Sequence, residues 1–158
     1  MKQLIVEKIC ENLSAEQETA KKAADSAREG ATHEDAKAEN QYDTRGLEAS
    51  YLAGAQAERV LHLSDCIGRF RNIILKDFSR GAPVGLTALV RLDDGEAQQV
   101  YFIAGDAGGM KLTVESENIM VITPKSPLGQ ALMGKKRGDF IEVRIRNDLR
   151  EFEIIDVQ

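Results

Sequence analysis

Two proline-free runs, Lys2 to about Gly30 and about Asn40 to Lys76, open the chain, and in both the apolar residues recur at helical spacing. A proline inside a helix removes one backbone hydrogen bond and clashes with the preceding turn, so such runs are where long helices are possible. In the first run Ile5, Ile9, Leu13, Ala20, Ala23, Ala24, Ala27 and Ala31 fall on one face, and good helix formers fill the remaining positions. In the second, Val60, Leu63, Ile67, Phe70 and Ile74 follow the alternating three- and four-residue steps of a coiled-coil seam. Two helices joined by a bend predict an antiparallel hairpin over residues 1–76, with large side chains at its base and alanines at a thin tip. About 35 residues per helix gives a finger roughly 50 Å long at 1.5 Å per residue.

After Phe78-Ser79-Arg80-Gly81-Ala82-Pro83 the helical period ends. Gly85 to Leu92 alternates loosely, Asp93-Asp94-Gly95-Glu96 is a turn, and Gln99 to Ala104 returns as a strand, predicting a β-hairpin. Met110 to Val114 and Asn118 to Ile122 are further strand candidates. Pro127 opens a short helix through Met133 with Ser126 as its N-cap. Phe140 to Ile145 and Arg150 to Val157 close the chain as strands, the last alternating at Phe152 and Ile154 and then, one step shifted, at Val157. The expected fold is α+β: a helical hairpin over 1–76, then antiparallel strands with one short helix over 77–158.

A length of 158 residues suits two modest units better than one large core. The net charge is −5, and cutting at Lys76 leaves 11 basic and 13 acidic residues before the cut against 10 and 13 after it. Neither half is a basic arm, which disfavours readout of duplex nucleic acid through a positive face. There is no run of 18 apolar residues, and the opening MKQLIVEKICENL carries charges at Lys2, Glu7, Lys8 and Glu11, so no membrane span or signal peptide is predicted and the expected location is the cytoplasm. Cys10 and Cys66 are the only cysteines and form no C-x-x-C pair, so both are expected as reduced packing residues. No Ser-His-Asp, Cys-His, Walker or G-x-G-x-x-G constellation is present, and no catalytic site of the chain's own is expected.

The run Ser126-Pro127-Leu128-Gly129-Gln130-Ala131-Leu132-Met133-Gly134-Lys135-Lys136-Arg137-Gly138-Asp139 is similar to the signature of the Gre family of bacterial transcript-cleavage factors, S-P-[IL]-x-x-A-L-[ILM]-G-K-x-x-G-D. The likeness continues through Phe140-Ile141-Glu142-Val143 and Arg150 to Ile155, covering roughly the last 75 residues. Gre proteins place an antiparallel coiled coil before an FKBP-like domain, matching the two-part layout. The resemblance implies a transcription elongation regulator that binds RNA polymerase, inserts its coiled coil into the secondary channel and grips the channel rim through the globular domain, with Ser126, Pro127 and Leu128 among the contacts. Nucleic acid would then be met only within the elongation complex, with no membrane involved, and the protein would be a monomer.

The resemblance also gives a reason for the acidic stretch ATHEDAKAENQYDTRGLEASY at residues 31–51. In cleavage-stimulating members, tip carboxylates in a G-D-x-x-E-N-A-E-Y pattern help hold a second Mg²⁺ and its water at the polymerase active centre. Hard divalent cations favour carboxylate oxygens. Aligning the tips by the tyrosine places Asp35 at the tip aspartate and Ala38 at the second acidic position, with Glu39 and Asn40 displaced by one residue. Asp35 and Glu39, with Glu34 and Asp43 beside them, are thus the implied tip residues; Asp35 and Glu39 would share a weakly held Mg²⁺ only in the polymerase complex. No intrinsic cofactor is implied. The run Tyr42-Asp43-Thr44-Arg45-Gly46-Leu47-Glu48-Ala49 instead resembles the Y-D-x-x-G-L-E-A tips of inhibitory Gre homologues, and about three extra residues near Gly30–Thr32 lengthen the bend.

Several residues have simpler readings beside these. His33 has no second histidine at ligand spacing and is expected in solvent. His62, beside the seam, is expected at its edge, and Tyr42 or Tyr51 is expected to pack across the alanine end. Lys135, Lys136 and Arg137 form a basic turn, solubilising or suited to an acidic partner or phosphate. Alternatives to a cleavage modulator are an inhibitor of polymerase sharing the binding mode, an FKBP-like prolyl isomerase, and a coiled-coil scaffold that dimerises. The isomerase needs an aromatic-walled pocket that few available rings can supply.

Overall fold

The computed structural model describes residues 1–32, 44–78, 81–145 and 148–158. Within them run α1 (Lys2–Thr32), α2 (Arg45–Arg71), β1 (Leu89–Asp93), β2 (Gln98–Ile103), β3 (Lys111–Val114), β4 (Glu117–Ile122), α3 (Pro127–Leu132), β5 (Phe140–Ile145) and β6 (Asp148–Val157). They form two compact units: Cys10–Asn72, and Met1–Ile9 together with Ile73–Gln158. The boundary expected after Lys76 falls inside the second of these.

In the helical unit α1 and α2 run antiparallel. Glu16 pairs with Arg59 at 2.5 Å, and the Gln17 amide donates to the Val60 carbonyl one residue further along each helix. Leu13, Ala20 and Ala27 are buried on α1, and Leu63, Cys66, Ile67 and Phe70 on α2, which is the expected seam with its small-residue end. Ile74 was expected to continue it and does not: α2 stops at Arg71, and Ile74 is 81% exposed. Asn72 caps the helix end, its backbone N–H and its side-chain amide both donating to the Gly68 carbonyl, at 3.3 and 2.8 Å. Of the two tyrosines of which one was expected to pack across the alanines, Tyr51 is 72% exposed and Tyr42 lies outside the described residues. Twelve residues at 100° each place Tyr51 about 120° around the helix from Leu63. Cys66 is 3% exposed, Cys10 is half-buried, and neither is in a disulfide. Burial pushes the Cys10 thiol up while Arg71 pulls it down. His62 is exposed at the seam edge.

The second unit is built on a six-stranded sheet in the order β3-β4-β2-β1-β6-β5. All pairings are antiparallel except β2 with β4. That departure from an all-antiparallel sheet follows from the connection: after β2 the chain travels to the edge, lays down β3, reverses at Glu115-Ser116, and returns as β4 between β3 and β2. Tyr101, Ile103, Ile122, Val90, Leu92, Ile141, Val143, Phe152 and Ile154 make the core on the face that receives α3. On the opposite face Val100, Phe102, Ile119, Val121 and Leu112 are also buried, so β2 reads as a continuous apolar run rather than an alternating one. Ile5, Val6 and Ile9 are buried in the same unit. Each such side chain contributes roughly 1.5–3 kcal/mol on removal from water.

The one-step shift at Val157 has a structural counterpart. Val90 pairs with Val157 and Arg91 with Asp156, but Leu92 pairs with Ile154, leaving Ile155 as the extra residue of a β-bulge. The expected strand from Gly85 begins only at Leu89, because Gly85 to Ala88 is a turn closed by Ala88 N–H donating to the Gly85 carbonyl. Thr87 sits there at φ +71°, a costly conformation for a β-branched residue. Its N–H donates to the Ile103 carbonyl and its hydroxyl accepts the Lys76 N–H at 3.0 Å. The Lys76 carbonyl accepts from the Lys2 ammonium, which lies 5.1 Å from the Phe78 ring centroid. Residue 76 is therefore held through both of its backbone polar groups.

Candidate functional site

The residue types of Ser126 to Asp139 are explained one by one by the local fold. Ser126, with φ −69° and ψ 153°, caps α3: its Oγ accepts the Gly129 N–H at 3.1 Å. The same hydroxyl donates to the Thr123 carbonyl at 2.8 Å, and the Ser126 N–H donates to that carbonyl at 3.0 Å. Pro127 occupies the first helical position, where no N–H is needed. Gly129 is required by proximity: a Cβ there would stand 2.0 Å from the Thr123 carbonyl oxygen. Leu132 is fully buried, while Leu128 and Ala131 pack against the core from its margin.

The exit from α3 is equally constrained. Gly134 at φ +79° donates to the Val84 carbonyl, and Val84 N–H donates back to Lys135 at 2.7 Å. The Asp139 carboxylate accepts the Lys136 N–H at 2.8 Å, and Gly138 at φ +89° donates to the Ile154 carbonyl. Both glycines thus occupy conformations that L side chains rarely adopt. Lys135, Lys136 and Arg137 are carried outward on this frame, all exposed.

Of the three loop residues singled out by the sequence, Pro127 is exposed, Ser126 is half-buried by its capping role, and Leu128 is half-buried against the core. Asp35, Glu39, Glu34, Asp43 and His33 lie outside the described residues. Among the described residues no group of three or more His, Cys, Asp or Glu is placed to hold a metal ion, and no helix is long and apolar enough to cross a membrane. Phe78, Tyr101, Phe102 and Phe152 are all buried and supply core rather than the walls of a pocket. The sequence reading missed Thr123, the hub of the loop. The signal available was a glycine placed inside a capped turn, where a helix former would otherwise be favoured.

At the β1–β2 turn the Asp94 carboxylate accepts the N–H groups of Glu96 at 3.1 Å and Ala97 at 2.9 Å. Those backbone bonds, Ala97's first, hold its carboxyl below the ordinary 3.8. Nearby, Tyr101 Oη donates to Gln99, and burial raises the phenol above its usual value.

A two-helix unit and a six-stranded unit, whose short capped helix leads into a hydrogen-bonded basic turn, define a two-part protein. The description "Transcription elongation factor, GreA/GreB, C-term" matches residues 82–158. The transcription elongation factor GreA of Bartonella henselae is 33% identical over 117 residues, covering 70% of this chain and 70% of its own length. That match is longer than the C-terminal region alone and so extends into α2. The transcription inhibitor protein Gfh1 of Thermus aquaticus is 31% identical over 120 residues, 73% of this chain and 71% of its own. The solved structure of that Gfh1 aligns over 93% of this chain and 92% of its own at 23% identity, with a TM-score of 0.41. The chain belongs to the GreA/GreB family of transcription elongation factors.

Proposed function

We propose that this chain binds RNA polymerase and regulates elongation, inserting its helical hairpin into the secondary channel while the β unit holds the rim through the Ser126–Leu128 loop. The observation that carries the reading is the 33% identity to a GreA that extends beyond the C-terminal region into the helical half. The chain acts on the polymerase's own reaction rather than through an active site of its own. Asp35 and Glu39 offer the hard oxygen donors that Mg²⁺ prefers, and a Mg²⁺ shared with the polymerase would activate the water for phosphodiester cleavage. The chain's part is to bring those carboxylates to the reacting end on a finger and to keep them oriented.

A second reading, inhibition from the same binding position, is favoured by the matches to Gfh1 at 31% and 32% identity and by the Tyr42–Ala49 run. One experiment tests both. The protein is added to a backtracked elongation complex with Mg²⁺, and the RNA 3′ end and nucleotide addition are followed. Shortening that is lost in Asp35→Asn/Glu39→Gln with binding retained supports the tip-carboxylate mechanism. Slowed addition without shortening supports the inhibitor. Failure to bind polymerase would remove both readings.

A further inference from the structure

On the proposed polymerase reading, we infer that the turn from Met133 to Phe140 is a second docking point of the β unit, fitted to a protein surface whose carboxylates oppose Lys135, Lys136 and Arg137 and whose apolar socket takes Phe140. Four observations carry this. The three cations are exposed, and among the described residues their side chains make no ion pair. They stand on a backbone held by the bonds of Val84, Asp139 and Ile154, so little freedom is lost when a partner engages them.

Apolar surface flanks them. Phe140 is 58% exposed and Met133 39%, although the other phenylalanines of this unit, Phe78, Phe102 and Phe152, are buried. Exposed aromatic area beside a basic residue is the composition of a protein interface anchor. Gly138 donates to Ile154 and Ile154 donates back to Asp139, so the turn runs directly into the β5–β6 ladder where Phe140 faces Glu153.

The fourth observation selects the kind of partner. On the solvent face that carries Phe140, Glu142 lies directly opposite Glu151, with Glu153 beside them, all exposed. Like charges directly opposite each other in a ladder are unfavourable, and Arg144, the next residue of β5 on this face, stands diagonal to Glu151. A continuous polyanion laid on the basic turn would run onto these glutamates. A protein surface can instead present carboxylates to the turn and cations to the glutamate row. The complementary surface is therefore dipolar and proteinaceous rather than a phosphodiester backbone.

The test measures affinity of the full chain for core RNA polymerase at low and moderate salt. Lys135→Glu/Lys136→Glu/Arg137→Glu and Phe140→Ser are each expected to weaken binding by about tenfold or more, with the triple variant also losing much of the salt dependence. Circular dichroism checks folding, and Lys136→Ala/Arg137→Ala with Phe140→Ala serves if a reversal disturbs it. Lys111→Glu, a charge reversal on β3 at the opposite edge of the sheet, is expected to bind as the unaltered chain does. If the unaltered chain binds and the turn variants bind equally well, this inference falls while the polymerase reading stands. If the unaltered chain fails to bind, both fall together. If the turn variants lose affinity for a naked single-stranded RNA measured in parallel but keep it for polymerase, the partner is nucleic acid and the inference is overturned.

Discussion

Gly129→Ala is the sharpest probe of the loop that presents Pro127. The new Cβ would lie 2.0 Å from the Thr123 carbonyl oxygen, 2.9 Å from its carbonyl carbon and 3.0 Å from Ser126 Oγ. No rotamer relieves a clash with backbone, so the turn must open by about an ångström. Opening it strains three hydrogen bonds: Ser126 N–H and Oγ to the Thr123 carbonyl, and Gly129 N–H to Ser126 Oγ. At about 1 kcal/mol each they amount to about 3 kcal/mol, and the better helix propensity of alanine returns at most about 1 kcal/mol, so the substitution should destabilise the β unit by roughly 2–3 kcal/mol. Gly108→Ala is the control. There the Cβ would meet Thr123 Cγ2 at 2.9 Å, a side-chain methyl that Thr123→Ala removes. Thr123→Ala should therefore rescue Gly108→Ala and leave Gly129→Ala uncorrected. Amide hydrogen exchange at Val121 and Ile154 reads the β unit separately from the helices. A Gly129→Ala protein within about 0.5 kcal/mol of the parent, or one rescued by Thr123→Ala, would refute the reasoning.

The β3–β4 reversal gives a prediction of opposite sign. Glu115 at φ +50° and Ser116 at φ +68° bring two non-glycine residues into the left-handed region of a two-residue turn. Glu115→Asn/Ser116→Gly should raise stability by about 1 kcal/mol in urea unfolding, and a loss of stability would show that the turn is shaped by something other than its own backbone. For Asp94, the depressed folded-state pKa means its carboxylate contributes stability that is fully present above pH 3.8 and lost as pH falls through the lower folded value. An NMR titration should find Asp94 ionising below 3.8, and Asp94→Asn should flatten the acid limb of the stability profile in that window. A titration midpoint at or above 3.8 would contradict the turn geometry.

What could be read without coordinates was whatever depends on neighbours a few residues apart. The helical period of Leu63, Ile67 and Phe70, the cap and proline at Ser126-Pro127, and the shifted step at Val157 are local patterns, because caps, turns and facing side chains join residues close in sequence. The tip assignments of Asp35 and Glu39 rest on resemblance alone. Other features were decided by groups distant along the chain. Gly85 to Thr87 looked like strand, but Thr87 takes a left-handed conformation in which its hydroxyl receives the Lys76 N–H, eleven residues away, and its N–H reaches Ile103. β4 lies parallel to β2 with β3 at the sheet edge beyond it. Periodicity says which face of an element is apolar, but which elements become neighbours, and which backbone groups find partners across the fold, is settled only when the whole chain competes for the same hydrogen bonds and the same buried surface.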